Sequence, residues 1–259
     1  MEKYDRIGQG YDQTRQADPY LVSRLKELLS VQSVKTYLDI GCGTGNYTLA
    51  LQEPGANFIG MDPSLAMLSV AQSRSEQITW RQGQAEATKL PDQGVDGIIA
   101  TLTIHHWTDL SQGFQELYRV LKPKGKLVIF TSTPAQMKGY WLNHYFPQMM
   151  GKSILQMPSL ASVQAALAQV GFQEPLLEPY AIRHDLQDKF LYWGKEKPKA
   201  YLDPHFRKGI SSFSDLANEV EVARGLARLE ADIISGEIEA IMQSYANESG
   251  DYLFVSAQK

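Results

Sequence analysis

The sequence predicts an α/β protein built around a doubly wound, largely parallel sheet. Residues 36–132 alternate short apolar runs with helix-like stretches, which is the pattern of strands joined by crossover helices. A glycine-rich turn at residues 41–45 joins the first apolar run to a helix-like stretch, an arrangement typical of ligand sites at the end of a parallel strand. The length of 259 residues suits one α/β domain with insertions, so we predict a single domain over residues 1–259.

The predicted elements of this domain follow one another along the chain. An amphipathic helix is expected at about residues 20–31, because leucines recur there at helical spacing. A later helix is expected over residues 159–171, with Ser159 as its cap and Gly171 as its stop. Strands are predicted within the segments 37–40, 58–61, 78–86, 95–100, 116–130, 176–182 and 251–257.

Two stretches interrupt the alternation of strands and helices. Residues 135–158, called insertion 1 below, hold half of the eight methionines together with several aromatic residues. Residues 185–247, called insertion 2, carry mainly helical patterns. Methionine and aromatic side chains build adaptable apolar pockets, and binding residues concentrate on segments outside the strands. We therefore predict that both insertions form a helical lid over the sheet.

Composition limits the classes of partner. The net charge is −4 and the sequence pI is near 5.8, which argues against nucleic acid because phosphate binding needs a clustered basic face. Cys42 is the one cysteine in the sequence and cannot form an internal disulfide, so we expect a reducing, cytoplasmic setting. No apolar leader or membrane-length run occurs, so we expect no membrane partner. Composition does not predict the oligomeric state.

Residues 38–46 read LDIGCGTGN and carry most of the functional information. The glycine spacing is G-x-G-x-G, whereas dinucleotide-binding loops use G-x-G-x-x-G so that a helix begins close to the pyrophosphate. Here the third glycine comes one residue early, and Asn46 stands at the position where it would fall. An NAD-dependent oxidoreductase is therefore a weaker hypothesis than a protein whose ligand has no phosphates.

The glycine loop resembles motif I of the class I S-adenosylmethionine (SAM) dependent methyltransferases, especially the methyltransferase type 11 group. Four further segments between residues 36 and 132 resemble the same family in the same order, including an acidic strand tip at Asp62 and a histidine pair at 105–106. The resemblance implies a Rossmann-like, seven-stranded sheet with six parallel strands. The last strand would be antiparallel and lie between the fifth and sixth. SAM would be the cofactor and S-adenosylhomocysteine the product, with no metal expected.

The resemblance also assigns cofactor contacts. Asp39 would orient the loop and the methionine amine, and Asp62 would bind the ribose hydroxyls, or alternatively cap the next helix. Gln84 stands where the family usually has Asp; its amide oxygen can accept the same bond from adenine without charge, but a solvated turn is the alternative. Cys42 is interpreted as a packed loop residue and not a nucleophile. The full predicted set is Tyr11, Arg15, Asp39, Gly41, Cys42, Gly43, Asp62, Pro63, Gln84, Ala85 and Thr101.

An aromatic residue and an arginine close over the cofactor in the resembling family, and Tyr11 and Arg15 match those positions. A surface helix is the alternative for this segment. The family places residues that face the methyl group after the fourth strand. His106 is the candidate base if the acceptor is a hydroxyl or an ammonium, and the alternative is that the histidines only shape the pocket.

The predicted acceptor pocket draws on the aromatic residues of the two insertions, although they could equally form the ordinary core of those insertions. The predicted substrate-binding residues are His105, Trp107, Trp141, His144, Tyr145, Tyr192 and Trp193. We expect methyl transfer to oxygen, nitrogen or carbon of a small aromatic or apolar molecule. A non-catalytic SAM-binding protein is the alternative.

Overall fold

The computed structural model describes residues 15–245 and 248–259 of the chain. Seven strands form one sheet in the order β3-β2-β1-β4-β5-β7-β6. β7 runs antiparallel to both β5 and β6, and the remaining pairs are parallel. This Rossmann-like sheet confirms the predicted fold, including the position of the last strand. The strands are β1 Thr36–Ile40, β2 Asn57–Asp62, β3 Thr79–Gln82, β4 Val95–Thr101, β5 Leu121–Thr131, β6 Leu176–Tyr180 and β7 Tyr252–Gln258.

Helices cover the sheet and fill the two insertions. The predicted helix at 159–171 is confirmed, since the Ser159 hydroxyl accepts a hydrogen bond from the Ser162 amide and Gly171 ends the helix at φ 102°. The helices are α1 Pro19–Leu29, α2 Asn46–Leu51, α3 Leu65–Arg74, α4 Leu110–Val120, α5 Pro134–Lys138, α6 Leu142–Tyr145, α7 Pro147–Gln156, α8 Leu160–Val170, α9 Pro204–Lys208, α10 Glu219–Ser235 and α11 Glu237–Ser244. Single 3-10 turns occupy Ile104–His106, Leu191–Gly194 and Pro198–Leu202, and a π-helical turn occupies Ser212–Leu216.

Both faces of the sheet are buried, as expected for parallel strands covered by crossover helices. Successive residues of one strand face opposite sides, so that Ile99 packs with α1 while Ile98 packs with α4 and α8. The aromatic core of the two insertions is continuous with the α1 side. The insertions therefore pack on the face of the sheet that α1 covers.

β5 contains the turn that the sequence predicts between helix and strand. Val95 of β4 pairs with Leu121, whereas Gly97 pairs with Lys126, so the register shifts within β5. Pro123 cannot donate to the ladder, and Lys124 has a positive φ of 65°. The predicted turn therefore lies inside β5, which begins directly after α4, and does not separate that helix from the strand.

The insertions leave the sheet at the edge where the parallel strands end, here called the carboxyl edge. Insertion 1 follows β5, and insertion 2 follows β6 and returns to the start of antiparallel β7 at that same edge. The carboxyl edge is where ligands bind in open α/β sheets. Within the described ranges, we find no helix with both the length and the apolar character needed to cross a bilayer.

Candidate active site

The glycine loop connects β1 to α2 at the carboxyl edge. The amides of Gly41 and Cys42 both donate to the Met61 carbonyl, at 2.7 and 3.0 Å, which ties the loop to β2. Gly41 has φ +75°, and a Cβ built there would lie 2.0 Å from Thr103 Oγ1. A Cβ built on Gly43, at φ +54°, meets nothing within 4 Å. The first glycine therefore permits close packing, and the second leaves open space for a ligand.

A cavity of about 410 Å³, called the cofactor cavity, lies against this loop. Six predicted cofactor residues line it, together with four residues outside the predicted set. Thr101 contributes a buried hydroxyl oxygen that has no hydrogen-bond partner within the described part of the chain. Tyr11 lies outside the described residues. The lining residues are Arg15, Asp39, Gly41, Cys42, Gly43, Thr44, Asn46, Tyr47, Thr101 and Asp188.

Asp39 is a buried carboxylate at the end of β1. Its side chain accepts a hydrogen bond of 2.5 Å from the Thr48 hydroxyl on α2. Burial raises the pKa of Asp39 to about 7, and the nearby Asp62 carboxylate acts in the same direction. A cationic group entering the cofactor cavity would favour the ionised carboxylate, so Asp39 is suited to bind an ammonium.

Asp62 links the tip of β2 to the glycine loop. Its carboxylate accepts hydrogen bonds from the Gly43 and Ser64 amides, both at 2.9 Å. The N-cap of α3 is Ser64, whose hydroxyl accepts from the Met67 amide at 3.3 Å. Ser64, and not Asp62, is therefore the N-cap of α3, and Asp62 holds the amide of that cap residue.

Three other predicted cofactor residues lie farther along the carboxyl edge, outside the cofactor cavity. Pro63 follows β2, and its carbonyl accepts from the Gln82 side chain at 3.0 Å. Gln84 is exposed just beyond β3, where its carbonyl accepts from the Ala87 amide at 3.1 Å, while Ala85 is buried. Their adenine contacts stay a prediction.

Cys42 behaves as a packed loop residue. Burial raises the pKa of its thiol well above the ordinary value, and the Asp39 and Asp62 carboxylates add to the effect. Its sulfur lies 3.7 Å from the Gly43 carbonyl oxygen, to which the thiol donates. A protonated thiol in this setting is a poor nucleophile.

A second cavity, of about 810 Å³ and called the acceptor cavity, lies between the carboxyl edge and the insertions. Arg15 lines both cavities. Residues that directly follow β4 and β5, with the first residue of β7, form the sheet side, and residues from both insertions form the other side. The lining residues are Arg15, Leu102, His105, His106, Ser132, Met137, Ser153, Gln156, Met157, Phe190, Leu191, Tyr192, Gly209, Ile210, Ser211, Ser212, Leu216 and Tyr252.

The 3-10 turn after β4 places both histidines on the acceptor cavity. The His106 amide donates to the Thr103 carbonyl at 2.8 Å, and the two imidazole rings lie 3.9 Å apart. Because Thr103 also packs against Gly41, the histidine turn and the glycine loop are in direct contact. A base at His106 would thus adjoin the cofactor cavity.

Of the predicted substrate-binding residues, His105 and Tyr192 line the acceptor cavity and the other five do not. Trp107 packs edge-on against Phe114 at 5.3 Å, with the core on the α4 side of the sheet. The indole of Trp141 is buried and donates to the Lys195 carbonyl at 2.9 Å. Both side chains are used in packing.

The remaining three are also occupied within the insertions. The Tyr145 hydroxyl donates to Asp232 at 2.9 Å, and His144 lies 2.8 Å from an Arg228 nitrogen. Trp193 donates to the Leu186 carbonyl at 2.8 Å. The residues that do line the insertion side, such as Met157 and Ile210, carry no motif that sequence reasoning could have detected. No group of three or more His, Cys, Asp or Glu side chains suited to a metal occurs in the described ranges.

Comparison with known proteins supports the interpretation of this edge. The family model "Methyltransferase domain" matches residues 38–129, the segment from β1 to β5. A solved structure from Anabaena variabilis, named as a methyltransferase from an antibiotic biosynthesis pathway, superposes with a TM-score of 0.84 at 34% identity. That match covers 94% of this chain and 98% of the other.

Curated relatives match about half of this chain. The demethylmenaquinone methyltransferase of Thermus thermophilus is 30% identical over 49% of this chain and 61% of its own length. The malonyl-[acyl-carrier protein] O-methyltransferase of Marinomonas sp. is 32% identical over 52% of each. This chain thus spans between half and two thirds of the length of these two curated relatives. With the near-complete match to the Anabaena structure, the chain belongs to the class I SAM-dependent methyltransferases.

Proposed function

We propose that this protein transfers the methyl group of SAM to a small, largely apolar molecule held in the acceptor cavity. The observation that carries the proposal is the junction of the two cavities. Arg15 lines both, and the turn bearing His105 and His106 packs directly against the glycine loop. A methyl group at the inner end of the cofactor cavity would therefore face an acceptor beside His106.

The residues of the carboxyl edge fit SAM. Asp39 would bind the ammonium of its methionine end, and Arg15 would bind the carboxylate. The loop at Gly43 leaves room for the methionine part of SAM. Asp62, which holds the Gly43 amide, would bind the ribose hydroxyls. Gln84 and Ala85, beyond β3, would contact adenine.

When bound, SAM supplies a methyl group on a positively charged sulfur, and that group moves to the acceptor as the carbon–sulfur bond breaks. The chain has to hold the acceptor in line and keep water from the methyl group, and the acceptor cavity between the sheet and the insertions would serve this role. An oxygen or nitrogen acceptor loses a proton, and His106 is placed to take it. A carbon acceptor that is already activated would need positioning alone.

The walls of the acceptor cavity support a mostly apolar acceptor with few hydrogen-bonding groups. Met157, Phe190 and Leu216 give apolar contacts. The polar groups of the wall include the hydrogen-bonded pair Ser153 and Ser212, the two histidines and Arg15. The two curated relatives are named for demethylmenaquinone and for malonyl-[acyl-carrier protein], and the second name alone states an acceptor atom, oxygen. Their names together do not select the acceptor atom for this chain. We propose that insertions 1 and 2 act as the lid of one domain.

A screen of purified protein tests this function. The protein is incubated with SAM and a library of small aromatic and apolar compounds, and S-adenosylhomocysteine is measured by mass spectrometry. We expect at least one compound to raise the product above the compound-free control, and Gly43→Ala to abolish that increase. Tight binding of S-adenosylhomocysteine with no turnover on any compound would favour a non-catalytic SAM-binding protein.

A further inference from the structure

Asp188 is a buried carboxylate of insertion 2 that reaches the wall of the cofactor cavity. The residue is 1% exposed and accepts three hydrogen bonds. Two come from the Arg15 guanidinium, at 2.6 Å from Nε and 3.1 Å from Nη2, and one comes from the Tyr47 hydroxyl at 3.0 Å. A two-point contact of this kind fixes the plane of a guanidinium as well as its position.

Arg15 is held from two directions. Its carbonyl accepts from the Asn46 side chain of α2 at 3.1 Å, and the Asn46 amide oxygen is held by Arg74 at 2.6 Å. Its side chain is held by Asp188. Arg15 is the one Lys or Arg among the described residues that line either cavity. The glycine-loop side thus fixes the backbone of this arginine, and insertion 2 fixes its charge.

The segment 188–192 runs from one cavity to the other. Asp188 lines the cofactor cavity, while Phe190, Leu191 and Tyr192 line the acceptor cavity. The Phe190 amide donates to the Asp188 carbonyl at 2.9 Å, and the Arg15 guanidinium carbon lies 5.9 Å from the centre of the Phe190 ring. A shift of Asp188 would therefore move a wall of the acceptor cavity.

We propose that Asp188 is a positioning residue that orients Arg15 towards the carboxylate of the cofactor and couples cofactor binding to the shape of the acceptor cavity. The proposal rests on the proposed function, since it takes SAM as the ligand. An anionic group bound by Arg15 would order the guanidinium, its partner Asp188 and the segment that follows. Cofactor binding would then hold the walls of the acceptor cavity in a narrower range of conformations.

Asp251 provides a matched control. It is 2% exposed and also joins insertion 2 to the sheet, because its carboxylate accepts from Lys195 at 2.6 Å and from the Ile182 amide at 2.8 Å. It lines neither cavity. Asp188→Asn and Asp251→Asn each weaken one buried ion pair of the same insertion, so general destabilisation affects both.

The test is hydrogen exchange with and without S-adenosylhomocysteine, combined with calorimetric affinities. In the wild type we expect the ligand to slow amide exchange in peptides covering 188–192 and 209–216. We expect Asp188→Asn to lose this protection and to bind the ligand about tenfold or more weakly, the scale of one charge-assisted hydrogen bond. Asp188→Glu, which keeps the charge, should recover part of the affinity. Asp251→Asn should keep both the affinity and the protection.

Other outcomes separate the two proposals. If the wild type binds S-adenosylhomocysteine but the two peptides gain no protection, the coupling is absent and the proposed function stands. Equal affinity and protection in Asp188→Asn and the wild type would also overturn the role of Asp188. If the wild type does not bind S-adenosylhomocysteine, the coupling and the proposed function both fail. Circular dichroism and the Asp188→Glu variant guard against a misfolded Asp188→Asn protein.

Discussion

The cofactor cavity and the acceptor cavity share Arg15 but are built by different means. The cofactor cavity is lined mainly by residues 39–47, and two buried carboxylates, Asp39 and Asp188, lie on its wall. The acceptor cavity gathers side chains from the carboxyl edge and from stretches of both insertions between 137 and 216. The cofactor cavity is thus formed largely by one short stretch of the chain, whereas the acceptor cavity exists only after the insertions have packed. Changes in the first half should therefore affect the cofactor, and changes in the second the acceptor.

The largest effect is expected for alanine substitutions in the glycine loop, where Gly41 and Gly43 should respond differently. In Gly41→Ala, the new methyl group would meet Thr103 at 2.0 Å, and φ is +75°. Overpacking and backbone strain together should cost about 3 kcal/mol of unfolding free energy and separate the loop from the histidine turn. Gly43→Ala meets no protein atom, so it should lose only about 1 kcal/mol while blocking the ligand.

Urea denaturation and titration with S-adenosylhomocysteine measure both effects of the glycine changes. Equal stability losses in Gly41→Ala and Gly43→Ala, or undiminished ligand binding by Gly43→Ala, would contradict the division of roles within the loop.

Asp62→Ala should weaken cofactor binding by about a hundredfold, since each charge-assisted hydrogen bond is worth about 1.5–3 kcal/mol. The variant also releases the Gly43 amide, which Asp62 holds at 2.9 Å. Ser64→Ala is the control, because it removes the α3 cap and should cost about 1 kcal/mol of stability with the affinity unchanged. Calorimetry on both variants checks this, and parallel losses of affinity would assign the effect to α3.

His106→Ala tests the role of the acceptor cavity. With an oxygen or nitrogen acceptor, we expect turnover to fall by about a hundredfold or more while the affinity for S-adenosylhomocysteine stays within about twofold of the wild type. Its ring lines the acceptor cavity and not the cofactor cavity. Initial rates with the best compound from the screen measure the change. Near-normal turnover would show that positioning alone carries the reaction.

The smallest effect is a pH dependence of cofactor affinity. In the free protein the pKa of Asp39 is raised by burial to about 7, and a bound ammonium should lower it. Binding then releases a proton below pH 7, so affinity should rise by up to about tenfold per pH unit between pH 6 and 7 and level off above. Titrations in buffers of different ionisation enthalpy detect the proton, and Asp39→Asn should remove the slope.

The same pKa shift has a consequence for the free protein. A carboxyl group with a raised pKa in the folded state binds its proton more tightly there than in the unfolded chain. The contribution of Asp39 therefore lowers the free energy of unfolding as pH rises from the ordinary pKa of 3.8 towards about 7. Above pH 7 this contribution stays constant. Urea denaturation of Asp39→Asn and of the wild type across this pH range measures the contribution as a difference in unfolding free energy. If the two proteins show the same pH dependence, Asp39 makes no such contribution.

The sequence predicted the sheet and the glycine loop because their signals are local. Strand patterns, cap residues such as Ser159 and glycines with positive φ each act within a few positions of the chain. The acceptor cavity has no such signal. Trp141 and Tyr145 were predicted to line it, yet each finds a hydrogen-bond partner inside the insertions and contributes to their core. Aromatic character favours burial of any kind, so it does not distinguish a pocket wall from a packed interior.

Asp188 could not have been predicted either. It lies in a segment without helical or strand periodicity, and its partner Arg15 is 173 positions away in the chain. Such long-range ion pairs depend on how insertion 2 returns to the carboxyl edge. The physical cause is topological, because β6 ends and β7 begins at the same carboxyl edge of the sheet as the glycine loop.

Calorimetric titration of the wild-type protein with SAM, S-adenosylhomocysteine and NAD, under identical conditions, tests most directly the central claim that the loop at residues 41–45 is built for SAM. We predict binding of one equivalent of SAM and of S-adenosylhomocysteine per chain and no heat from NAD. Binding of NAD with no response to either sulfur ligand would contradict the account.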